Sequence, residues 1–156
     1  MSLADLTTLR VGGPARRVVD TDDVDDFLQV IRSVDAARDP LLVLGGGSNV
    51  LVADHGFDGV VVRDRRRDIS VEERGDQVMV TAAGGVVWDD LVALAVDNGW
   101  AGVSSLSGIP GSVGATPVQN VGAYGQEISD VLVSLTAWDR REQRLRRLDP
   151  DDLGFG

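Results

Sequence analysis

The chain has no cysteine and no lysine, and a single histidine, His55. Each absence removes a class of chemistry. Without cysteine there is no thiolate nucleophile. Without lysine there is neither a Schiff base nor the lysine of a P-loop. One histidine argues against a multi-histidine metal site and leaves little room for a serine–histidine triad. All 15 basic residues are arginine, as codon usage in a GC-rich genome produces, and the formal net charge is −10. Nucleic acids and anionic membranes are normally held by basic surfaces, so neither is expected as a partner. No apolar run approaches the roughly 20 residues needed to cross a bilayer. Met1–Asp5 lacks the basic-then-apolar pattern of a signal peptide, and small secreted domains usually carry disulfides; a cytoplasmic protein is expected. If such a chain does chemistry, a cofactor carries it.

What is present is an ordinary globular composition, 156 residues with 43% hydrophobic, enough for one domain or two small lobes. Thr7–Val19 reads as an extended segment broken by Gly12-Gly13-Pro14. Thr21 then has the character of an N-cap, followed by four aspartates at 22, 23, 25 and 26, where carboxylates suit the positive end of a helix. Val24, Phe27, Leu28, Ile31 and Val34 follow at helical spacing, so a helix is expected over Asp22–Arg38. Leu41–Leu44 and Val60–Arg63 read as strands, with a β-like Val50–Val52 between them. These elements make a β-α-β lobe over residues 1–64. In residues 65–156, Ile69–Glu72 and Gln77–Ala82 form an expected hairpin, as do Val131–Trp138 and Arg144–Leu148. Trp88–Asn98 is an expected helix with Asn98-Gly99 at its C-terminus. A turn or short helix starts at Asp149-Pro150-Asp151-Asp152.

Two glycine-rich stretches interrupt this pattern. In Leu44-Gly45-Gly46-Gly47-Ser48-Asn49-Val50-Leu51, three glycines allow successive N–H groups to converge into an anion-binding nest, with donors from Ser48 and Asn49. A diphosphate fits such a nest without lysine. No Rossmann fingerprint is present, because β-formers and not a helix follow the glycines. A tight hairpin or bulge with no ligand is the competing reading. The second stretch, Gly108–Gly125, alternates glycine with Ile, Val, Pro, Ala and Tyr. A flexible linker would be polar. This stretch reads as backbone that closely approaches something, and its buried N–H and C=O groups need partners. A flat heteroaromatic ring with donors and acceptors on its edge, such as a flavin, supplies them; a loop packed on helices is the alternative.

The same two stretches resemble the UDP-N-acetylenolpyruvoylglucosamine reductase family, also called UDP-N-acetylmuramate dehydrogenases. Thr8–Pro14 is similar to that family's N-terminal segment, and Leu153-Gly154-Phe155-Gly156 to the start of its Phe-Gly-Tyr-Arg motif. The resemblance implies an α+β FAD-binding domain of the vanillyl-alcohol-oxidase/PCMH type, with two small α+β lobes and FAD between them. It implies that Leu44, Gly45, Gly46, Gly47, Ser48, Asn49, Val50 and Leu51 hold the pyrophosphate. It likewise implies that Gly108, Ile109, Pro110, Gly111, Gly114, Ala115, Thr116, Gln119, Asn120, Gly122, Ala123 and Tyr124 line the isoalloxazine. NADPH would reduce the flavin, and the enolpyruvyl group of UDP-N-acetylglucosamine enolpyruvate would be reduced to UDP-N-acetylmuramate, a peptidoglycan precursor. The family's catalytic arginine falls just past Gly156, and its proton-donating serine and its glutamate fall in a separate substrate domain. These 156 residues are therefore expected to contain no catalytic residue, to bind FAD as a monomer and not to turn over substrate. An FAD oxidase of the same fold and a non-enzymatic nucleotide-binding module are the alternatives. The first is weakened by the lack of a histidine or cysteine in the glycine loops to which flavin could be joined.

Other residues draw quieter readings. Trp88, Trp100 and Trp138 are expected to pack, His55 to sit in an exposed loop, and most arginines to be solvated. Tyr124 either touches the flavin edge or closes its loop.

Overall fold

The computed structural model of the chain describes residues 1–155 and falls into two units, Met1–Arg67 and Asp68–Gly156. The division lies slightly beyond the expected 64/65 boundary. Gly156, the end of the Phe-Gly resemblance, lies outside the described residues.

In the first unit, strands β1 (Ala15–Thr21), β2 (Leu41–Val43) and β3 (Phe57–Asp64) form a parallel sheet in the order β1-β3-β2. β3 is central, and Val60, Val61 and Val62 are all buried, as expected of a parallel strand covered on both faces. Helix α1 (Val24–Ala37) makes the crossover from β1 to β2 and buries Leu28, Ile31 and Val34, one face at helical spacing. Its N-cap is Asp23 and not Thr21. The Asp23 carboxylate accepts the Asp25 and Asp26 N–H groups at 2.7 and 3.3 Å. Thr21 is the last residue of β1, and its hydroxyl donates to the Arg63 carbonyl at 3.2 Å. Two carboxylate and hydroxyl caps lay within reach, and the strand claimed one of them. α1 ends at Arg38, which takes a left-handed φ of +55°. A 3-10 turn, Leu3–Leu6, brings Leu3 into the core beside Leu44 and Val61.

Val50–Val52 forms no strand. The segment packs against the N-terminal glycines instead. A Cβ on Gly12 would stand 2.5 Å from the Val52 Cβ, and the Gly13 N–H donates to the Ala53 carbonyl at 2.9 Å. Val50 and Val52 are spent on the Leu3 core, without a partner strand.

In the second unit, β4 (Ile69–Arg74) and β5 (Gln77–Ala82) form an antiparallel hairpin, and β8 (Leu135–Asp139) and β9 (Arg144–Leu148) another. β8 starts at Leu135, later than the expected Val131. Residues 128–130 make a 3-10 turn instead, and the Val131 and Leu132 N–H groups both donate to Ile128, so the preceding chain is coiled. Helix α2 (Trp88–Asp97) buries Trp88, Val92 and Ala95. Trp88, Val92, Leu106 and Ile128 form the core of this unit. The buried Trp88 indole N–H donates to the Leu106 carbonyl at 3.0 Å, so the core tryptophan is fully accounted for. Between α2 and β8, a 3-10 segment (Val113–Gln119) leads into a short hairpin of β6 (Gly122–Ala123) and β7 (Gln126–Glu127). Pro150–Asp152 is a single 3-10 turn.

Candidate functional site

The first glycine loop lies in the first unit, directly after β2. Loops at the carboxyl ends of parallel strands are where open α/β sheets place their ligands. Leu44, at 2% exposure, anchors it in the core, and its N–H donates to the Val62 carbonyl at 2.9 Å. Gly45, Gly46 and Asn49 are exposed and Ser48 is half-buried. Gly47 is buried with φ +70°, a left-handed turn that redirects the peptides on either side of it. A Cβ on Gly47 would lie 2.1 Å from the Leu6 carbonyl oxygen, so the third glycine is required by the fold itself. Val50 packs inward, while Leu51 is 77% exposed. The residues thus divide. Leu44, Gly47 and Val50 hold the loop, and Gly45, Gly46, Ser48 and Asn49 form its outward part.

The second stretch lies wholly in the second unit. Its entry is fixed by Asp89 of α2, whose carboxylate accepts the Gly108 N–H at 2.7 Å and the Ser107 hydroxyl at 3.1 Å. Ile109, Gln119, Asn120, Gly122 and Ala123 line one groove of about 530 Å³, together with Val121, Gly125, Gln126 and Glu127. That volume lies within the range of small-molecule sites. Ile109 and Ala123 also rest on the Trp88 core, which fixes the groove floor. Gly108, Pro110, Gly111, Gly114, Ala115, Thr116 and Tyr124 do not line it. Two of these have structural tasks. Thr116 is buried and donates to the Val113 carbonyl at 2.8 Å. A Cβ on Gly114 would stand 2.9 Å from the Gly84 Cα, so this glycine permits a backbone contact within the unit. Space is open around Gly108 and Gly125, both at positive φ.

Gln126 and Glu127 belong to the groove and carried no local signal in the sequence. Gln126 accepts the Ser105 N–H at 2.9 Å, and Glu127 accepts the Asn120 side-chain amide at 2.6 Å. The Asn120 side chain also accepts the Ser129 N–H at 3.2 Å, so it braces the wall. The residue at the hairpin tip is Tyr124, at φ +53° and 94% exposure. It faces water and packs on nothing.

The groove fits a flat polar heterocycle, with an apolar floor and amide-rich walls. The outward part of the Gly45–Asn49 turn is exposed glycine backbone with no cationic side chain within it. A buried orphan adjoins that turn: the Thr7 hydroxyl has no hydrogen-bond partner. His55 is exposed, Trp88 is core, and Arg66, Arg144, Arg146 and Arg147 are engaged in ion pairs with neighbouring acids. No cluster of metal-binding side chains occurs among the described residues, and no described helix is long and apolar enough to cross a membrane.

A family model described as an FAD binding domain matches residues 15–148. The chain is 51% identical over 154 residues to UDP-N-acetylenolpyruvoylglucosamine reductase of Thermobifida fusca, covering 98% of this chain and 43% of that protein. It is 49% identical over 155 residues to the reductase of the same name from Cutibacterium acnes, covering 99% of this chain and 41% of that one. The chain therefore spans about two fifths of the length of these relatives. Among solved structures, the Thermus caldophilus UDP-N-acetylenolpyruvylglucosamine reductase superposes with a TM-score of 0.77 at 29% identity, over the whole chain and 53% of that structure. A solvent-stable cholesterol oxidase matches at TM-score 0.68 and 20% identity over 85% of the chain and 29% of that structure, a likeness of fold.

Proposed function

From the premise that this chain belongs to the FAD-binding domain family, we propose that it is the cofactor-binding part of a UDP-N-acetylenolpyruvoylglucosamine reductase. The Gly45–Asn49 turn takes the FAD diphosphate on backbone N–H groups, and the Gly108–Gly125 stretch takes the isoalloxazine. The whole enzyme uses NADPH to reduce the enolpyruvyl group of UDP-N-acetylglucosamine enolpyruvate, in peptidoglycan synthesis in the cytoplasm. Bound FAD supplies reversible two-electron hydride chemistry.

The chain's own residues do the rest by binding and orientation. Neutral peptide N–H groups at the first turn meet the diphosphate charge without a salt bridge. Ile109 and Ala123, seated on the Trp88 core, would give a flavin held in the groove an apolar surface. Gln119, Gln126 and the backbone of Val121–Ala123 and Gly125 line the groove and would be the groups to meet a polar ring edge. On this reading the two loops hold the cofactor, and the proton for the substrate double bond comes from groups outside them.

The observation that carries this reading is the groove of Gly108–Gly125, a ring-sized polar-walled site built on a fixed apolar floor. The test is direct. The purified protein should be yellow, with absorbance near ~450 nm and FAD released on denaturation, and should reduce no substrate by itself. A colourless protein whose spectrum and melting temperature ignore added FAD would sink the cofactor assignment. Turnover of the enolpyruvyl substrate by these 156 residues alone would refute the division of labour.

A further inference from the structure

Thr7 is 93% hidden from solvent, its exposure being 7%, and its hydroxyl oxygen has no hydrogen-bond partner. Such orphans are rare, because a hydroxyl removed from water without a partner is costly. Valine would have the same shape with no such penalty. The position of Thr7 explains why a hydroxyl is kept. Its neighbour Thr8 donates its N–H to the Gly47 carbonyl at 3.0 Å. A Cβ on Gly47 would stand 2.9 Å from the Thr7 Cα. Thr7 thus packs its backbone against the third glycine of the turn, and it carries a buried hydroxyl with no partner.

We propose that Thr7 is a positioning residue of the diphosphate turn, its hydroxyl hydrogen-bonding a carbonyl of Gly45–Asn49 when that turn closes on the cofactor. The inference rests on the FAD reading above. In a planar trans peptide the N–H and C=O point to opposite sides. Each peptide of the turn that aims its N–H at the diphosphate therefore presents its carbonyl to the rear. The unpartnered donor on the residue packed against the turn is the Thr7 hydroxyl, and a hydrogen bond on a carbonyl strengthens the donor power of the same peptide's N–H. The Gly47 carbonyl already accepts the Thr8 N–H, so the other carbonyls of the turn are the preferred acceptors of the new bond. Cofactor binding thereby completes a buried hydrogen bond that the FAD-free protein lacks.

The experiment compares the protein with T7V and T7S, measuring FAD affinity by flavin fluorescence and the melting temperature without FAD. T7V is expected to bind FAD about three- to tenfold more weakly, the range for one neutral hydrogen bond, and T7S within about twofold of the parent. The FAD-free T7V protein is expected to melt at the same temperature or higher, since it has lost only an unsatisfied group. Unchanged FAD affinity in T7V overturns the proposal. So does a lower FAD-free melting temperature in T7V, which would mean that the hydroxyl supports the fold and not the bound state. Failure of T7S to restore binding also overturns it. An unsubstituted protein that binds no FAD is a different result, and it takes down the cofactor reading itself.

Discussion

Gly46 and Gly47 stand side by side in one turn and answer to different masters. Gly47 is buried, left-handed at φ +70°, and pressed against the Leu6 carbonyl. Gly47→Ala is expected to destabilise the FAD-free protein by more than ~1 kcal/mol, from strain and collision together; urea unfolding checks this. Gly46 is exposed. Gly46→Asp should leave the FAD-free melting temperature within a few degrees while weakening FAD at least tenfold, because it puts bulk and like charge where the diphosphate goes. Equal FAD affinity in that variant would remove the first loop from the site. The sequence showed three glycines and could not separate them, because what presses on Gly47 arrives from Leu6, far away in the chain. Tyr124 shows the reverse. It and Gly125 both have positive φ, +53° and +80°, at the two-residue tip joining β6 to β7. That turn suits Asn-Gly, and an exposed tyrosine there is strained by about 1 kcal/mol. Tyr124→Asn is expected to raise the FAD-free melting temperature by relieving that strain. A melting temperature that falls would show that the ring packs after all.

Element by element, periodicity made most of the fold readable. Leu28, Ile31 and Val34 marked the buried face of α1, and the alternation around Glu73–Asp76 marked the β4–β5 hairpin. The errors share a cause. Thr21 and Asp23 are both good caps, and Val50–Val52 has good strand formers. Local propensity does not say which cap a neighbouring strand takes or whether a partner strand exists. Asp23 caps because Thr21 is held by Arg63; Val52 stays out of a strand because the Gly12 backbone lies against it. Gln126 and Glu127 entered the groove only through the β6–β7 pairing. The sheet also places Asp20 of β1 opposite Arg63 of β3, joined by two hydrogen bonds of 2.6 Å. The Arg63 guanidinium holds the Asp20 carboxyl below its ordinary value, chiefly through these bonds. A depressed carboxyl contributes stability that is present above the unfolded value, near ~3.9, and is lost as pH falls through the lower folded value. The Asp20 side chain is 45% exposed, so water screens much of the effect. Asp20→Asn is expected to cost under ~1 kcal/mol at pH 7, with the gap closing in acid below about pH 4. Urea titrations at pH 7 and in acid read this; a gap that widens in acid would contradict the pair.

Across the whole molecule, the two units have separate cores, one around Leu3 and Val61 and the other around Trp88 and Leu106, and each unit carries one glycine loop. The charge of the molecule runs against its ligand. A protein of net charge −10 is asked to bind an anionic dinucleotide, with neither loop containing a basic side chain. Local attraction must then come from peptide dipoles, which act over a few ångströms, while repulsion from the surrounding carboxylates acts over the Debye length. Salt distinguishes the two ranges. Raising it from about 10 mM to about 150 mM shortens the Debye length from about 30 Å to about 8 Å, which removes the repulsion and leaves the contact dipoles nearly untouched. FAD should therefore associate about two- to threefold faster at the higher salt, with affinity equal or improved. An arginine-held phosphate would behave oppositely, losing affinity as salt rises. Stopped-flow flavin quenching across that range decides between them. A severalfold loss of affinity with salt would move the diphosphate from the glycine turn to the arginines.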